Sequence, residues 1–181
     1  VRLWNRSVLE PTDPTDFDDP LDKLAPIRIA GCRNGSFSGM VVVSSNAAIA
    51  NLSAKAGELR QADGRGVIPA SAVRVRFALP DGMPYQWYNH PPLMCDSLLD
   101  APPNPVPVTD KRGGAICPVW LTVAVPPDAT AGEYAGKLTV SADGLPATAV
   151  DVHLTVSRFV LPPATKLTPH VGLIQSPDSV A

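Results

Sequence analysis

Residues 134–156, YAGKLTVSADGLPATAVDVHLTV, contain two runs of alternating residues separated by Asp143-Gly144. Leu138 and Val140 share one face of the first run, and the second run has an apolar residue at every other position from 150 to 156. A period of two is typical of a half-buried strand. An Asp-Gly pair between two such runs predicts a β-hairpin whose apolar face points inward.

Three further strands are predicted upstream of this hairpin. Residues 118–125, PVWLTVAV, alternate in the same way. Residues 72–79, AVRVRFAL, place apolar side chains on one face and Arg74 and Arg76 on the other, and residues 38–45, SGMVVVSS, form an apolar β-branched run. Short strands separated by turns predict an all-β fold, an antiparallel β-sandwich of the immunoglobulin-like type.

Composition excludes several classes of protein. The 181 residues are 45% hydrophobic and 18% charged, with 21 prolines and a net charge of −2. Proline costs about 3 kcal/mol inside a helix, which argues against a helical bundle. No apolar run is long enough for a transmembrane helix, and no cluster of basic residues points to nucleic acid or an anionic membrane. The chain begins at Val1 rather than Met, so we expect a fragment or a processed, secreted product.

The cysteines do not predict a metal centre. Cys32, Cys95 and Cys117 are odd in number and widely spaced, without a Cys-x-x-Cys pair. No phosphate-binding loop or dinucleotide motif is present either, so we expect no metal and no cofactor. Buried free thiols are the favoured interpretation, and one disulfide with one free thiol stays open.

The chain divides into three predicted parts. Residues 1–26 are acidic and proline-rich, and we expect an extended, solvated arm that lies on the domain and has no regular structure. Its aspartates lack the mid-loop glycine and final glutamate of a calcium-binding EF-hand. Residues 27–162 are the β-sandwich. Residues 163–181 are a linker followed by a short apolar strand at 170–174, which we interpret as the opening of a second domain.

Residues 46–62 are ambiguous between helix and strand. Ile49, Leu52, Ala56 and Leu59 recur at spacings that are typical of an amphipathic helix. Gly57 argues against a continuous helix.

The candidate binding residues lie in the long proline-rich loop at residues 80–107. Tyr85, Trp87 and Tyr88 are the candidate substrate-binding residues, because flat aromatic faces stack on sugar rings. Packing of these rings onto the sandwich or onto the next domain is the favoured alternative. Long loops in compact domains are often functional or form interfaces.

No catalytic residue is assigned. Asp96 and Asp100 are the least implausible carboxylate pair in the loop, but nothing singles out two carboxylates at the fixed separation that a glycosidase needs. The nucleophile-elbow motif is missing from the sequence, and the three histidines are far apart. Trp120 lies among apolar neighbours and is interpreted as a packing residue.

Residues 117–140, CPVWLTVAVPPDATAGEYAGKLTV, resemble the N-terminal domain of glycoside hydrolase family 123. Residues 33–43, RNGSFSGMVVV, are similar to the segment that leads into the first long strand in that family. Residues 159–162, FVLP, are similar to the segment at the C-terminal end of the family's domain. Residues 169–181 resemble the start of the catalytic barrel.

This resemblance implies a two-sheet sandwich placed before a (β/α)8 barrel. The family hydrolyses β-linked N-acetylgalactosamine with an Asp-Glu pair and the acetamido group of the substrate, and those residues belong to the barrel. The chain is therefore expected to be a non-catalytic accessory domain of a secreted enzyme that braces the barrel. The alternative is a stand-alone carbohydrate-binding or adhesion module. The resemblance also favours strand over helix in residues 46–62.

One segment has a structural interpretation of its own. Residues 128–134, DATAGEY, are similar to the tyrosine corner of immunoglobulin-like sandwiches, in which a tyrosine hydroxyl bonds to upstream backbone. Gly132 supplies backbone freedom before the strand. Tyr134 and Gly136 are therefore expected to be structural residues.

Overall fold

The computed structural model describes residues 1–18, 23–80, 94–108 and 113–166. These ranges contain eleven strands: β1 (Arg2–Asn5), β2 (Ile27–Arg33), β3 (Ser36–Ser45), β4 (Ser53–Ala56), β5 (Leu59–Gln61), β6 (Val67–Ile68), β7 (Val73–Leu79), β8 (Ser97–Leu99), β9 (Ala115–Ala124), β10 (Gly132–Ala142) and β11 (Leu145–Val160). They also contain three short 3-10 helices, Pro14–Asp18, Ala70–Ala72 and Ala164–Lys166. The described chain is all-β, as predicted, and none of its helices is long and apolar enough to cross a membrane.

The strands form two sheets. One has five strands in the order β1-β3-β9-β7-β8, and every neighbouring pair is antiparallel. The other has six strands in the order β2-β11-β10-β5-β6, with β4 also paired to β10. The β2–β11 pair is parallel, so this sheet is mixed where a purely antiparallel one was predicted. A parallel pair requires a long connection along the chain, and the segment from β3 to β10 provides it.

The main core lies between the two sheets, since a single apolar cluster contains residues of both. β9 contributes Val119, Leu121 and Val123, while β10 and β11 contribute Leu138 and Leu154, all fully buried. Their alternation along the strands is the one that the sequence predicts. Burying one such side chain stabilises the fold by about 1.5–3 kcal/mol, so this shared core holds the sheets together.

The predicted hairpin is confirmed at the end of β10. Ala142 pairs with Leu145, and Gly144 between them has a φ of 80°. This left-handed conformation favours glycine, which explains why an Asp-Gly pair marks the turn.

Residues 46–62 are strand rather than helix. They contain β4, β5 and an isolated bridge in which Ile49 and Val106 exchange backbone hydrogen bonds of 3.0 and 2.8 Å. Ile49, Leu52 and Leu59 are buried, as their pattern indicates, but they reach the core from separate extended segments. Partner strands of the sheet decide the conformation here, because helix propensity is a weak preference that tertiary contacts override.

The arm at residues 1–26 lies on the domain in its described part, but the expectation that it is solvated and without regular structure does not hold there. β1 pairs with β3 as an edge strand, and Trp4 is only 1% exposed. The Trp4 Nε1 donates to Ser44 Oγ at 2.9 Å, and Ser44 Oγ donates to the Phe17 carbonyl at 2.9 Å. The first proline stands at position 11, so nothing prevents β1 from joining the sheet.

This N-terminal segment covers a second apolar cluster on the outer face of the five-stranded sheet. We call it the outer-face cluster; it comprises Trp4, Val42, Ala78, Cys95 and Ile116, with Leu98 and Trp120 partly buried against it. Backbone bonds hold the cover in place, from Cys95 N to the Thr12 carbonyl at 2.8 Å and from Gly114 N to the Pro14 carbonyl at 3.1 Å. The five-stranded sheet is therefore covered on its core face and on the part of its outer face around this cluster, while Arg74 on β7 stays exposed.

Candidate functional site

Several predicted site residues are not described by the structure. Tyr85, Trp87 and Tyr88 lie outside the described residues, so their contact with substrate or with another domain stays a prediction. The same holds for the predicted barrel strand at residues 170–174.

Both loop carboxylates are exposed in the described structure, and one of them is in an ion pair. Asp100 is exposed, and its Oδ1 accepts hydrogen bonds from Arg74 Nη2 at 2.6 Å and from Arg74 Nε at 3.1 Å. Asp96 is exposed as well. A surface ion pair of this kind contributes at most about 1 kcal/mol, and it gives Asp100 a role at the sheet edge.

All three cysteines are free, and two of them are buried. Burial raises the pKa of Cys95 to about 12, with further contributions from Asp13 and Asp16. Burial also raises the pKa of Cys117 far above its usual range. Because the thiolate is the nucleophile and the metal ligand, Cys95 and Cys117 are packing residues. Within the described ranges no group of three or more Cys, His, Asp or Glu side chains could hold a metal ion.

The tyrosine corner is present as predicted. Tyr134 is buried, and its Oη donates to the Thr130 carbonyl at 2.7 Å. Burial raises the pKa of Tyr134 above its usual range. Gly132 has a φ of 139°, and a Cβ on Gly136 would lie 2.7 Å from the Glu58 carbonyl. These residues fix the start of β10 against β5, so their role is structural.

The turn between β2 and β3 forms a hydrogen-bonded junction at the end of the sandwich. Asn34 adopts a left-handed φ of 62°, and its backbone N donates to the Val125 carbonyl at 3.0 Å. Val125 N donates a hydrogen bond to the Gly35 carbonyl at 2.8 Å. The turn thus ties the end of β9 to the β2–β3 connection.

The same turn holds the segment by which the chain leaves β11. Asn34 Nδ2 donates to the Leu161 carbonyl at 2.8 Å, and Leu161 N donates to the Arg33 carbonyl at 2.9 Å. Arg33 Nη2 donates to the Arg158 carbonyl at 2.6 Å. We call Arg33, Asn34, Gly35, Arg158 and Leu161 the exit clamp.

Close packing completes the exit clamp. A Cβ on Gly35 would lie 2.8 Å from Leu161 Cδ1 and 2.7 Å from the ring of Phe37, so only glycine admits these side chains. The clamp joins the Arg-Asn-Gly segment to the Phe-x-Leu-Pro segment. Both segments carry the family resemblance, but their contact could not be predicted, because neither segment has a local pattern that identifies the other as its partner.

A second feature is a groove of about 440 Å³ on the outer face of the five-stranded sheet. Met40, Leu98 and Trp120 form part of its floor, and Leu9 is one of its wall residues. The Trp120 Nε1 and Thr12 Oγ1 atoms are buried beside it without a hydrogen-bond partner in the described part of the chain. Trp120 therefore packs on the sheet, as predicted, and leaves a polar atom unused.

Comparison with known proteins gives two findings. The family model of the glycoside hydrolase 123 N-terminal domain matches residues 22–142. The structure is similar to that of a family 123 glycoside hydrolase from Clostridium perfringens, solved to explain the hydrolysis of glycolipid glycans, with a TM-score of 0.63 and 16% identity. That match covers 89% of this chain but 28% of the other, and at this identity it shows the fold alone. No curated protein matches the chain.

Proposed function

Because the chain belongs to the glycoside hydrolase 123 N-terminal domain family, we propose that it is the non-catalytic domain of an enzyme acting on β-linked N-acetylhexosamine glycans. In this proposal an immunoglobulin-like sandwich braces a (β/α)8 catalytic barrel of the same polypeptide. The protein works outside the cytoplasm, in the periplasm or the extracellular space, where such glycans occur.

The exit clamp is the observation that carries the bracing role. Domains of one chain move relative to each other by default unless the interface between them is large and hydrophobic. Here three hydrogen bonds and the packing of Leu161 against Gly35 fix the direction in which the chain leaves β11. A fixed exit is what a domain needs if it is to orient its neighbour.

The chemistry of the described residues supports a non-catalytic assignment. Asp100 is used in a surface ion pair, Tyr134 in the tyrosine corner, and the Cys95 and Cys117 thiols are buried. In this proposal the acid and the nucleophile-assisting carboxylate belong to the barrel. Tyr85, Trp87 and Tyr88 then face the barrel or the glycan bound to it.

The alternative function, a carbohydrate-binding or adhesion module, has the groove beside Trp120 in its favour. A partly exposed aromatic ring next to an apolar wall suits the apolar face of a sugar ring. Binding of N-acetylhexosamine oligosaccharides by the 181-residue chain, abolished by Trp120→Ala, is the outcome that would favour this alternative.

The proposed function is tested by the hydrolysis of an aryl β-N-acetylgalactosaminide. The 181-residue chain is compared with a chain extended through the domain that follows. We expect hydrolysis only by the longer chain. Hydrolysis by the 181-residue chain would overturn the non-catalytic assignment and return attention to Asp96 and Asp100, with Asp100→Asn as the deciding variant. Inactivity of both chains would favour the binding module or a different sugar.

A further inference from the structure

The groove on the outer face of the five-stranded sheet has the dimensions of a ligand site. Its volume of about 440 Å³ lies within the range of roughly 300–1,000 Å³ that is usual for small-molecule sites. Met40 and Leu98 lie beside the half-buried Trp120 in its floor. Such a floor accommodates an apolar body, and the face of an indole ring also attracts a cation.

Two separate segments of the chain form the walls of the groove. Glu10 lies on the N-terminal segment, and Asp96 lies on the segment that precedes β8. The backbone joins these segments, because Cys95 N donates to the Thr12 carbonyl at 2.8 Å. Glu10 N donates to the Ser7 carbonyl at 3.1 Å and closes a turn. The walls are therefore held in place without a ligand, which lowers the entropic cost of binding one.

The carboxylates on the two walls are unpaired. Glu10 and Asp96 are exposed, and within the described ranges neither carboxylate takes part in an ion pair or a hydrogen bond. Several other carboxylates of the described chain are held in ion pairs with basic side chains, namely Asp16, Asp63, Asp100 and Asp151. The groove thus carries two negative charges that no side chain of the described structure balances.

The described lining of the groove contains no Lys, Arg or His side chain. Arg6, in the N-terminal segment, is paired with Asp16 at 2.8 Å. Arg76 is opposite Trp120 on β7, but it is not one of the lining residues. A cationic ligand therefore meets no positive charge in the lining.

The negative field extends into the groove. Burial, and in addition the charges of Asp13, Asp16 and Asp96, raise the pKa of Cys95, which is a lining residue. Thr12 lines the groove as well; it is 4% exposed, and its Oγ1 has no hydrogen-bond partner in the described part of the chain. A cleft with apolar walls and charges of one sign concentrates ions of the opposite sign.

We propose that this groove binds a small organic amine, with the apolar body of the ligand on Trp120 and its ammonium group between the carboxylates of Glu10 and Asp96. An ammonium group donates charge-assisted hydrogen bonds to carboxylates, which are stronger than bonds between neutral groups. A neutral ligand of the same shape fits the floor but leaves both carboxylates without a counter-charge. The site lies beyond the proposed function and does not depend on it.

The test compares two probes that share a ring and differ in charge. Benzylamine, which is cationic at neutral pH, and benzyl alcohol are each titrated into the 181-residue chain, and the affinities are measured by calorimetry. We expect benzylamine to bind about tenfold more tightly. High salt should reduce this preference, because the carboxylates are exposed and their field is screened.

Variants show whether the preference arises in the groove. Glu10→Gln and Asp96→Asn together should abolish it, and both sites are exposed, so the fold should persist. Asp128→Asn is the matched control. Asp128 is exposed in the turn between β9 and β10, outside the groove, and its carboxylate has no partner in the described structure. This variant should keep the preference, whereas Trp120→Leu should weaken the binding of both probes.

Three results would overturn the inference. They are equal affinity for the two probes, no binding of either probe, and a preference for benzylamine that survives the double variant. Binding of N-acetylhexosamine oligosaccharides without binding of benzylamine would also overturn it and would favour the carbohydrate-binding module instead.

Discussion

The outer faces of the two sheets differ in what covers them. On the six-stranded sheet, the residues of β10 and β11 that point away from the core, such as Thr139 and Asp151, are exposed. On the five-stranded sheet, Val42 and Ile116 point away from the main core but are buried under the N-terminal segment. The difference teaches that the six-stranded sheet buries one face, whereas the five-stranded sheet buries one face and part of the other.

The largest expected effect tests whether the N-terminal cover is part of the fold. Trp4→Ala removes a buried ring and its bond to Ser44, and should cost about 3–5 kcal/mol of the free energy of unfolding. Urea unfolding measures this loss. Leu9→Ala, at a side chain that is 90% exposed in the same segment, is the control and should change stability by less than about 0.5 kcal/mol. Equal, small effects would mean that the segment is a solvated arm after all.

A second pair of variants compares the two outer faces directly. Val42→Ala on β3 should cost about 1.5–3 kcal/mol, because this side chain is fully buried in the outer-face cluster. Thr139→Ala on β10 removes an exposed side chain and should cost less than about 0.5 kcal/mol. The same unfolding measurement serves both. If the two losses are alike, the outer faces do not differ in the way described above.

The tyrosine corner should have a smaller effect. Tyr134→Phe keeps the ring and removes the bond to the Thr130 carbonyl, at an expected cost of about 0.5–1.5 kcal/mol. Burial raises the pKa of Tyr134 above 10.0, so its contribution is fully present below pH 10 and falls as the pH rises further. Unfolding followed from pH 7 to pH 11 should therefore show the gap between wild type and Tyr134→Phe narrowing at the alkaline end. A constant gap would contradict this.

The smallest expected effect is that of the Arg74–Asp100 pair at the edge of the five-stranded sheet. Asp100→Asn should cost at most about 1 kcal/mol, and less at high salt, because both side chains are exposed. The variant should also leave hydrolysis by the full-length protein unchanged. A large loss of activity with intact stability would return Asp100 to the list of catalytic candidates.

The elements that could be predicted from the sequence are those with a local pattern. Apolar and polar residues alternate over seven residues or more in β7, β9, β10 and β11. Asp143-Gly144 is a local sequence signal for the turn that it forms. β1 has only four residues, too few to show a period, and its burial depends on β3. In residues 46–62 the apolar residues are spaced as in a helix only by coincidence, because Ile49, Leu52 and Leu59 are buried from three separate extended segments.

The candidate site divides in the same way. The tyrosine corner lies within seven residues and could be predicted from them, and its hydrogen bond is present. The exit clamp joins Asn34 to Leu161 across 127 positions, and neither segment shows in its own sequence which partner it binds. Such a contact follows from the parallel pairing of β2 with β11, which the sequence did not predict.

The bracing role of the exit clamp is tested most directly by Asn34→Gly in the full-length protein. Glycine accepts the φ of 62° and removes only the side-chain bond to Leu161. Asn51→Gly, at a φ of 55°, removes two side-chain bonds away from the exit, to Asp143 and Asn104, and is therefore a stringent control. The measurement is the temperature at which half of the hydrolytic activity toward an aryl β-N-acetylgalactosaminide is lost. We predict that Asn34→Gly lowers this temperature by about 2–4 °C more than Asn51→Gly does. Identical values for the two variants would contradict the account of this domain as a brace.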